Sequence, residues 1–174
     1  MITKHRTAVL LAAFSLILFA HGVPANAQNE IERERSSLRG ISEMGFTVNL
    51  EVNVTLNEKG ELEVTSLRDR ALNTLRDAGL DIIPDKEIES SAEVPFLYMH
   101  VNTMDAGQGL VPFSVSIRFY QPVKLTLNRD IQTSASTWES GLVGIVSYDR
   151  MNVIGDSAVN LLQDFISDYN RVNL

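Results

Sequence analysis

The 174-residue sequence carries 15 Lys and Arg against 22 Asp and Glu, a formal charge of −7, with 44% apolar residues and no cysteine. An acidic balance argues against nucleic acid or anionic lipid as the main partner, because both are held through basic patches that neutralise phosphate. Without cysteine there are no disulfides, and stability has to come from a packed core.

The chain opens with Lys4, His5 and Arg6, an apolar run from Ala8 to Ala20, and the small-x-small site Ala25-Asn26-Ala27. That is the order of a Sec-type signal peptide over residues 1–27. The run of about 13 apolar residues falls short of the ~20 that span a bilayer, so the pattern predicts cleavage rather than anchoring. With no cysteine after Ala27, the exported product is expected to be unlipidated, to have no membrane span, and to reside in the periplasm or the medium. Loss of Lys4 and Arg6 leaves 13 basic against 22 acidic side chains, a formal charge of −9. The remaining ~147 residues suit one self-sufficient core.

Residues 28–44, with the run Glu30-Ile31-Glu32-Arg33-Glu34-Arg35, read as a charged tether or a loose helix at the edge of a single domain over 45–174. Phe46 to Leu56 alternates strictly between apolar and polar, the signature of a half-buried strand. The turn Asn57-Glu58-Lys59-Gly60 then leads into a short ribbon, Glu61 to Val64. Ser66 with Asp69 predicts an N-cap, and Leu67, Ala71, Leu75 and Ala78 give a helix over Ser66 to Ala78 that Gly79 ends. A short extended piece, Leu80 to Ile83, stops at Pro84, and Asp85 to Glu93 reads as an acidic surface loop.

Phe96 to Thr103 is the second main strand, with Leu97, Met99 and Val101 on one face and Phe96, Tyr98, His100 and Asn102 on the other. Asp105-Ala106-Gly107-Gln108-Gly109 is hairpin-turn chemistry. The third strand sends Val111, Phe113, Val115, Ile117, Phe119, Val123, Leu125 and Leu127 one way, and Ser114, Ser116, Arg118, Tyr120, Lys124 and Thr126 the other. Pro122 marks a bulge or an edge position in it. A turn at Asn128-Arg129-Asp130 leads to a fourth strand, Ile131 to about Val146, containing Trp138, with Gly141 and Gly144 marking a bend or close packing. A last helix, about Asp149 to Tyr169, carries the stripe Met151, Ile154, Ala158, Leu161, Leu162, Phe165 and Ile166. Gly155 inside it costs ~1 kcal/mol relative to Ala and points to an irregular start. The economical arrangement is an α+β two-layer sandwich: a four-stranded, mostly antiparallel sheet with two helices on one face.

The helix end Arg76-Asp77-Ala78-Gly79-Leu80, the strand Leu97 to Thr103, the hairpin into Ser114 to Tyr120 and the ending Leu161-Leu162-Gln163-Asp164-Phe165-Ile166 resemble the small α/β domain at the N-terminus of TolB. Phe119-Tyr120-Gln121-Pro122-Val123 and the stretch Asp164 to Asn170 are similar to small exported proteins of the bacterial envelope. The resemblance implies a location and no activity.

Residues 28–174 contain one histidine, His100, whose parity places it near Glu51 and Ser114 or Ser116. A Ser-His-acid set would need a nucleophile on a strained turn and an oxyanion hole, and these serines lie mid-strand. The residue types do not suit a metal cage, and Asp85, Glu87, Glu89 and Glu93 lack the spacing of a calcium loop. Gly107-Gln108-Gly109 and Gly141-Leu142-Val143-Gly144 do not match phosphate-binding loops, so no cofactor is expected. Asn53-Val54-Thr55 fits a glycosylation sequon but falls inside the expected first strand.

What remains is the polar sheet face, with Tyr98, His100, Arg118, Tyr120 and Lys124, joined by Trp138 if its side of the fourth strand faces that way. Tyr, Trp and Arg are enriched at binding hot spots, whereas a plain solvated face is the bland alternative. The leading expectation is an exported, non-enzymatic binding or assembly module with an envelope protein as partner. The alternatives are a small hydrolase using His100, Glu51 and a serine, and a homo-oligomer formed by edge-strand pairing.

Overall fold

A computed structural model describes residues 25–52, 56, 62–90 and 93–174. The described elements run α1 (Ala25–Ser37), β1 (Gly45–Glu51), α2 (Val64–Asp77), α3 (Asp85–Ser90), β2 (Phe96–Thr103), β3 (Leu110–Lys124), β4 (Gln132–Ser147), a 3₁₀ turn (Tyr148–Arg150) and α4 (Asn152–Asn173). The strands form one sheet in the order β1-β2-β3-β4, with β1 and β2 parallel and the other two pairs antiparallel. A parallel pair needs a crossover, and α2 lies within the segment that supplies it. This is the expected α+β class, a mostly antiparallel sheet with α2 and α4 against one face.

The period-2 pattern of β2 and β3 explains the core. Leu97, Met99, Val101, Val115, Ile117 and Phe119 are at most 1% exposed, and they meet Leu67, Ala71 and Leu75 of α2 and Ile154, Ala158, Leu162 and Phe165 of α4. All seven residues of the expected α4 stripe are buried, and the 3₁₀ turn before Asn152 is the irregular start. Gly79, at φ 84°, closes α2 with Leu80 N donating to Leu75 O and Gly79 N donating to Arg76 O, a full Schellman stop.

Several expectations are corrected. Strand β1 ends at Glu51 because its partner β2 ends at Thr103, whose hydroxyl donates to Glu51 O at 3.0 Å. Leu56, expected as the end of that strand, is helical and buried, whereas the sequon Asn53–Thr55 and the turn Asn57–Gly60 lie outside the described residues. Helix α2 starts at Val64 rather than Ser66, with no side-chain cap; Leu67 N donates to Glu63 O, and burial of Leu62 and Leu67 overrides the local capping signal.

The acidic stretch is helical over α3, not a loop, and it places Ile88 over the β1 terminus: a Cβ added to Gly45 would sit 2.4 Å from the Ile88 side chain. The bulge lies in β4 rather than at Pro122. Phe119 pairs with Trp138 and Tyr120 with Ser136, so Thr137 is the extra residue. Pro122 lies past Tyr120, the last β3 residue paired with β2, and so occupies an edge position. Leu125 and Leu127, expected on the apolar face, follow the end of β3 and are 40% and 103% exposed.

The charged stretch before the sheet is the ordered helix α1, seated on β4 and α4. Arg35 Nε donates to Asp168 Oδ1 at 2.6 Å, Tyr169 Oη to Ile41 O at 2.7 Å, and Asn173 Nδ2 to Leu38 O at 2.9 Å. Leu38 is fully buried. The apolar run Ala8–Ala20 lies outside the described residues.

Candidate functional site

The even-numbered residues of β2 and β3 and the odd-numbered residues of β1 face away from α2 and α4. At one end of this open face Phe96 stacks on Tyr120 with centroids 5.2 Å apart; Tyr98 meets Tyr120 edge-on at 6.4 Å and lies over His100 at 6.0 Å. The register explains the cluster, because Phe96 pairs with Tyr120, Tyr98 with Arg118 and His100 with Ser116. Cross-strand aromatic neighbours of this kind stabilise a sheet and leave flat, half-exposed rings for a partner. Ile88 of α3 walls the end of the face at Gly45.

Arg118 supplies the charge. Its Nε donates to Glu139 Oε2 at 3.3 Å, and both side chains are substantially exposed. The Tyr120 hydroxyl first, and Glu139 after it, hold the guanidinium proton more tightly than usual. An exposed pair of this type contributes little to stability, and its value lies in fixing the direction of the guanidinium.

Four of the five expected binding residues, Tyr98, His100, Arg118 and Tyr120, therefore share the open face. Trp138 does not join them. It is 3% exposed on the opposite side, packed edge-on against Phe165 at 5.1 Å, with its indole N–H donating to Asp168 Oδ2 at 3.1 Å. Sequence reasoning missed Phe96 as part of the cluster, although its parity with Tyr98 was the available signal.

His100 Nε2 lies 3.2 Å from Glu51 Oε1, but the approach lacks hydrogen-bond geometry and the nitrogen is enclosed without a partner. A carboxylate against one ring nitrogen would orient a histidine rather than disable it, but the serines across from this stretch, Ser114 and Ser116, lie mid-strand and not on the strained turn that presents a nucleophile. Among the described residues no group of three His, Asp or Glu is placed to hold a metal ion. Gly107, Gln108 and Gly109 all have positive φ and form the β2–β3 turn, where Asp105 accepts from Gly107 N at 2.8 Å.

No protein-family model matches the chain, and no curated protein matches it. Among solved structures it is similar to a PelC dodecamer from Paraburkholderia phytofirmans, at 14% identity and a TM-score of 0.40, covering 75% of this chain and 89% of that one. It is also similar to a minor lipoprotein from Acinetobacter baumannii, at 10% identity and a TM-score of 0.27, covering 77% and 89%. Likeness at this level carries no function across. No helix among the described residues is long and apolar enough to cross a membrane.

A second polar region lies where α1 meets β4. Burial raises the Glu34 carboxyl above its ordinary pKa, and Glu139, Glu30 and Asp168 add to the effect. A raised carboxyl means that the folded state binds its proton more readily than the unfolded chain, so stability is lost as pH rises through that range. Glu34→Gln is therefore expected to raise the thermal midpoint at pH 7 and to lose that advantage as pH falls below the usual carboxylate range. Midpoints measured across pH check the sign.

Proposed function

We propose that this chain is an exported binding module that captures an envelope partner on its open sheet face. The observation that carries the reading is the half-exposed cluster of Phe96, Tyr98, His100 and Tyr120 beside the directed guanidinium of Arg118. Rigid aromatic rings bury much area for little lost conformational freedom, and an adjacent Arg adds directional polar recognition. The leader-like residues 1–27 support the location. Binding is favoured over hydrolysis because Ser114 and Ser116, the serines beside His100, lie mid-strand and not on a strained turn.

The test is the triple replacement Tyr98→Ala, Arg118→Ala and Tyr120→Ala. Circular dichroism is expected to stay native, because the core lies on the other face, while affinity capture from an envelope extract, read by mass spectrometry, loses the proteins retained by wild type. Unchanged capture by a folded triple variant refutes the assignment of this face.

A further inference from the structure

We propose that a second copy of this chain pairs with the outer edge of β4 over Gly141–Ser147, in an antiparallel register centred on Gly144. Among the described residues strand β4 has one sheet neighbour, β3, so its other edge carries no strand. Natural sheets guard such edges with charges, proline, bulges or a covering element. The first half of β4 has these guards: the Thr137 bulge, α1 reaching Thr137 O through the Ser37 hydroxyl at 3.2 Å, and the charge of Glu139. They stop there. Ser140 to Ser147 contains no charged residue and no proline.

The opposite edge is shorter and differently finished. Strand β1 has seven residues and ends in Glu51, and Met44 just before it is bridged by Ile82. The unguarded half of β4 is also where the open face turns apolar. Val143 is 84% exposed and Ile145 65%, beside Pro112 and Met104 in a shallow trough of about 590 Å³.

The sequence of this edge is complementary to itself. Centring two antiparallel copies on Gly144 sets Val143 against Ile145 on the open face, Leu142 against Val146 on the helix face, and Gly141 against Ser147. Every exposed apolar side chain then meets another, as cross-strand pairing favours. A two-fold axis through Gly144 makes the contact isologous and closed, so it ends at a dimer. For a chain of formal charge −7, an uncharged stretch is also where two copies approach with least repulsion. This surface is separate from the aromatic cluster and does not depend on it.

The experiment compares the mass of the purified protein by light scattering across a concentration series. Wild type is expected to reach twice the monomer mass. Val143→Lys with Ile145→Lys places like charges opposite each other across the axis and is expected to stay monomeric where wild type is dimeric. Val143→Lys with Ile145→Glu places opposite charges there and is expected to restore the dimer, which a register not centred on Gly144 would not do. Circular dichroism confirms folding.

Because the chain has no cysteine, Val143→Cys with Ile145→Cys gives a second measurement. Paired strands bring opposite Cα atoms to about 4.5–5.5 Å, within disulfide range, so oxidation is expected to give a covalent dimer. A monomeric wild type, a dimer that survives the double-lysine change, or failure of both the charge-swapped and the cysteine variants to associate would each overturn the proposal.

Discussion

Phe165→Ala is expected to destabilise the domain by about 3–5 kcal/mol, the largest loss of any single change considered for this fold. Phe165 is fully buried at the point where α4 meets β3 and β4. Its ring centroid lies 5.5 Å from Phe119, 5.1 Å from Trp138 and 6.1 Å from Tyr169, so truncation removes one partner from three aromatic contacts. The cavity opens between a helix and a sheet whose backbones are fixed by their own hydrogen bonds, which limits collapse around it. Total stability of small domains is typically about 5–15 kcal/mol, so the variant would sit near its unfolding threshold. Urea titration followed by far-ultraviolet circular dichroism measures the loss, and Phe165→Leu, which keeps more of the volume, should lose less. A loss below ~1 kcal/mol for the alanine variant would show that this contact does not anchor α4.

The central part of the fold was readable because β2, β3 and α4 each obey one period without interruption. Alternation in Leu97–Thr103 and Val111–Phe119 assigns faces directly, and that assignment brought Tyr98, His100, Arg118 and Tyr120 together. Strand β4 resisted the same reading. Leu142 and Val143, then Ile145 and Val146, place apolar residues on both parities, and the Thr137 bulge breaks the alternation just before Trp138. Its indole could not be assigned a side from sequence.

Leu125 and Leu127 continued the β3 pattern past its last ladder pair, Lys124 with Gln132. A helix was one of two readings of the α1 stretch, but its docking was opaque for another reason. Its anchors pair residues more than 130 positions apart, Arg35 with Asp168 and Leu38 with Asn173, and no local pattern reports such contacts. Locally, a run such as Glu30 to Arg35 is indistinguishable from a solvated tether.

Asp168→Ala is expected to cost about 2 kcal/mol and to release α1 ahead of the rest of the domain. One Asp168 oxygen accepts from Arg35 Nε at 2.6 Å and the other from Trp138 Nε1 at 3.1 Å, so a single carboxylate joins α1, α4 and β4. The Arg35 and Asp168 side chains are 13% and 22% exposed, which is dry enough for the pair to escape most solvent screening but short of full burial. Breaking a fully buried pair costs about 3–5 kcal/mol and an exposed one less than about 1, which brackets the value.

Removing the carboxylate leaves the indole N–H buried without an acceptor, whereas Asp168→Asn keeps an acceptor and loses only the charge, so its loss should be smaller. The distinctive readout is local. Amide exchange over Glu30–Ser37 should accelerate in Asp168→Ala under conditions where the β2 and β3 amides stay protected, since α1 depends on this carboxylate and neither β2 nor β3 contacts it. If exchange rose equally in α1 and the sheet, α1 would be part of the global folding unit and the carboxylate a general stabiliser. If it rose in neither, the Tyr169 and Asn173 contacts alone would suffice to hold the helix in place.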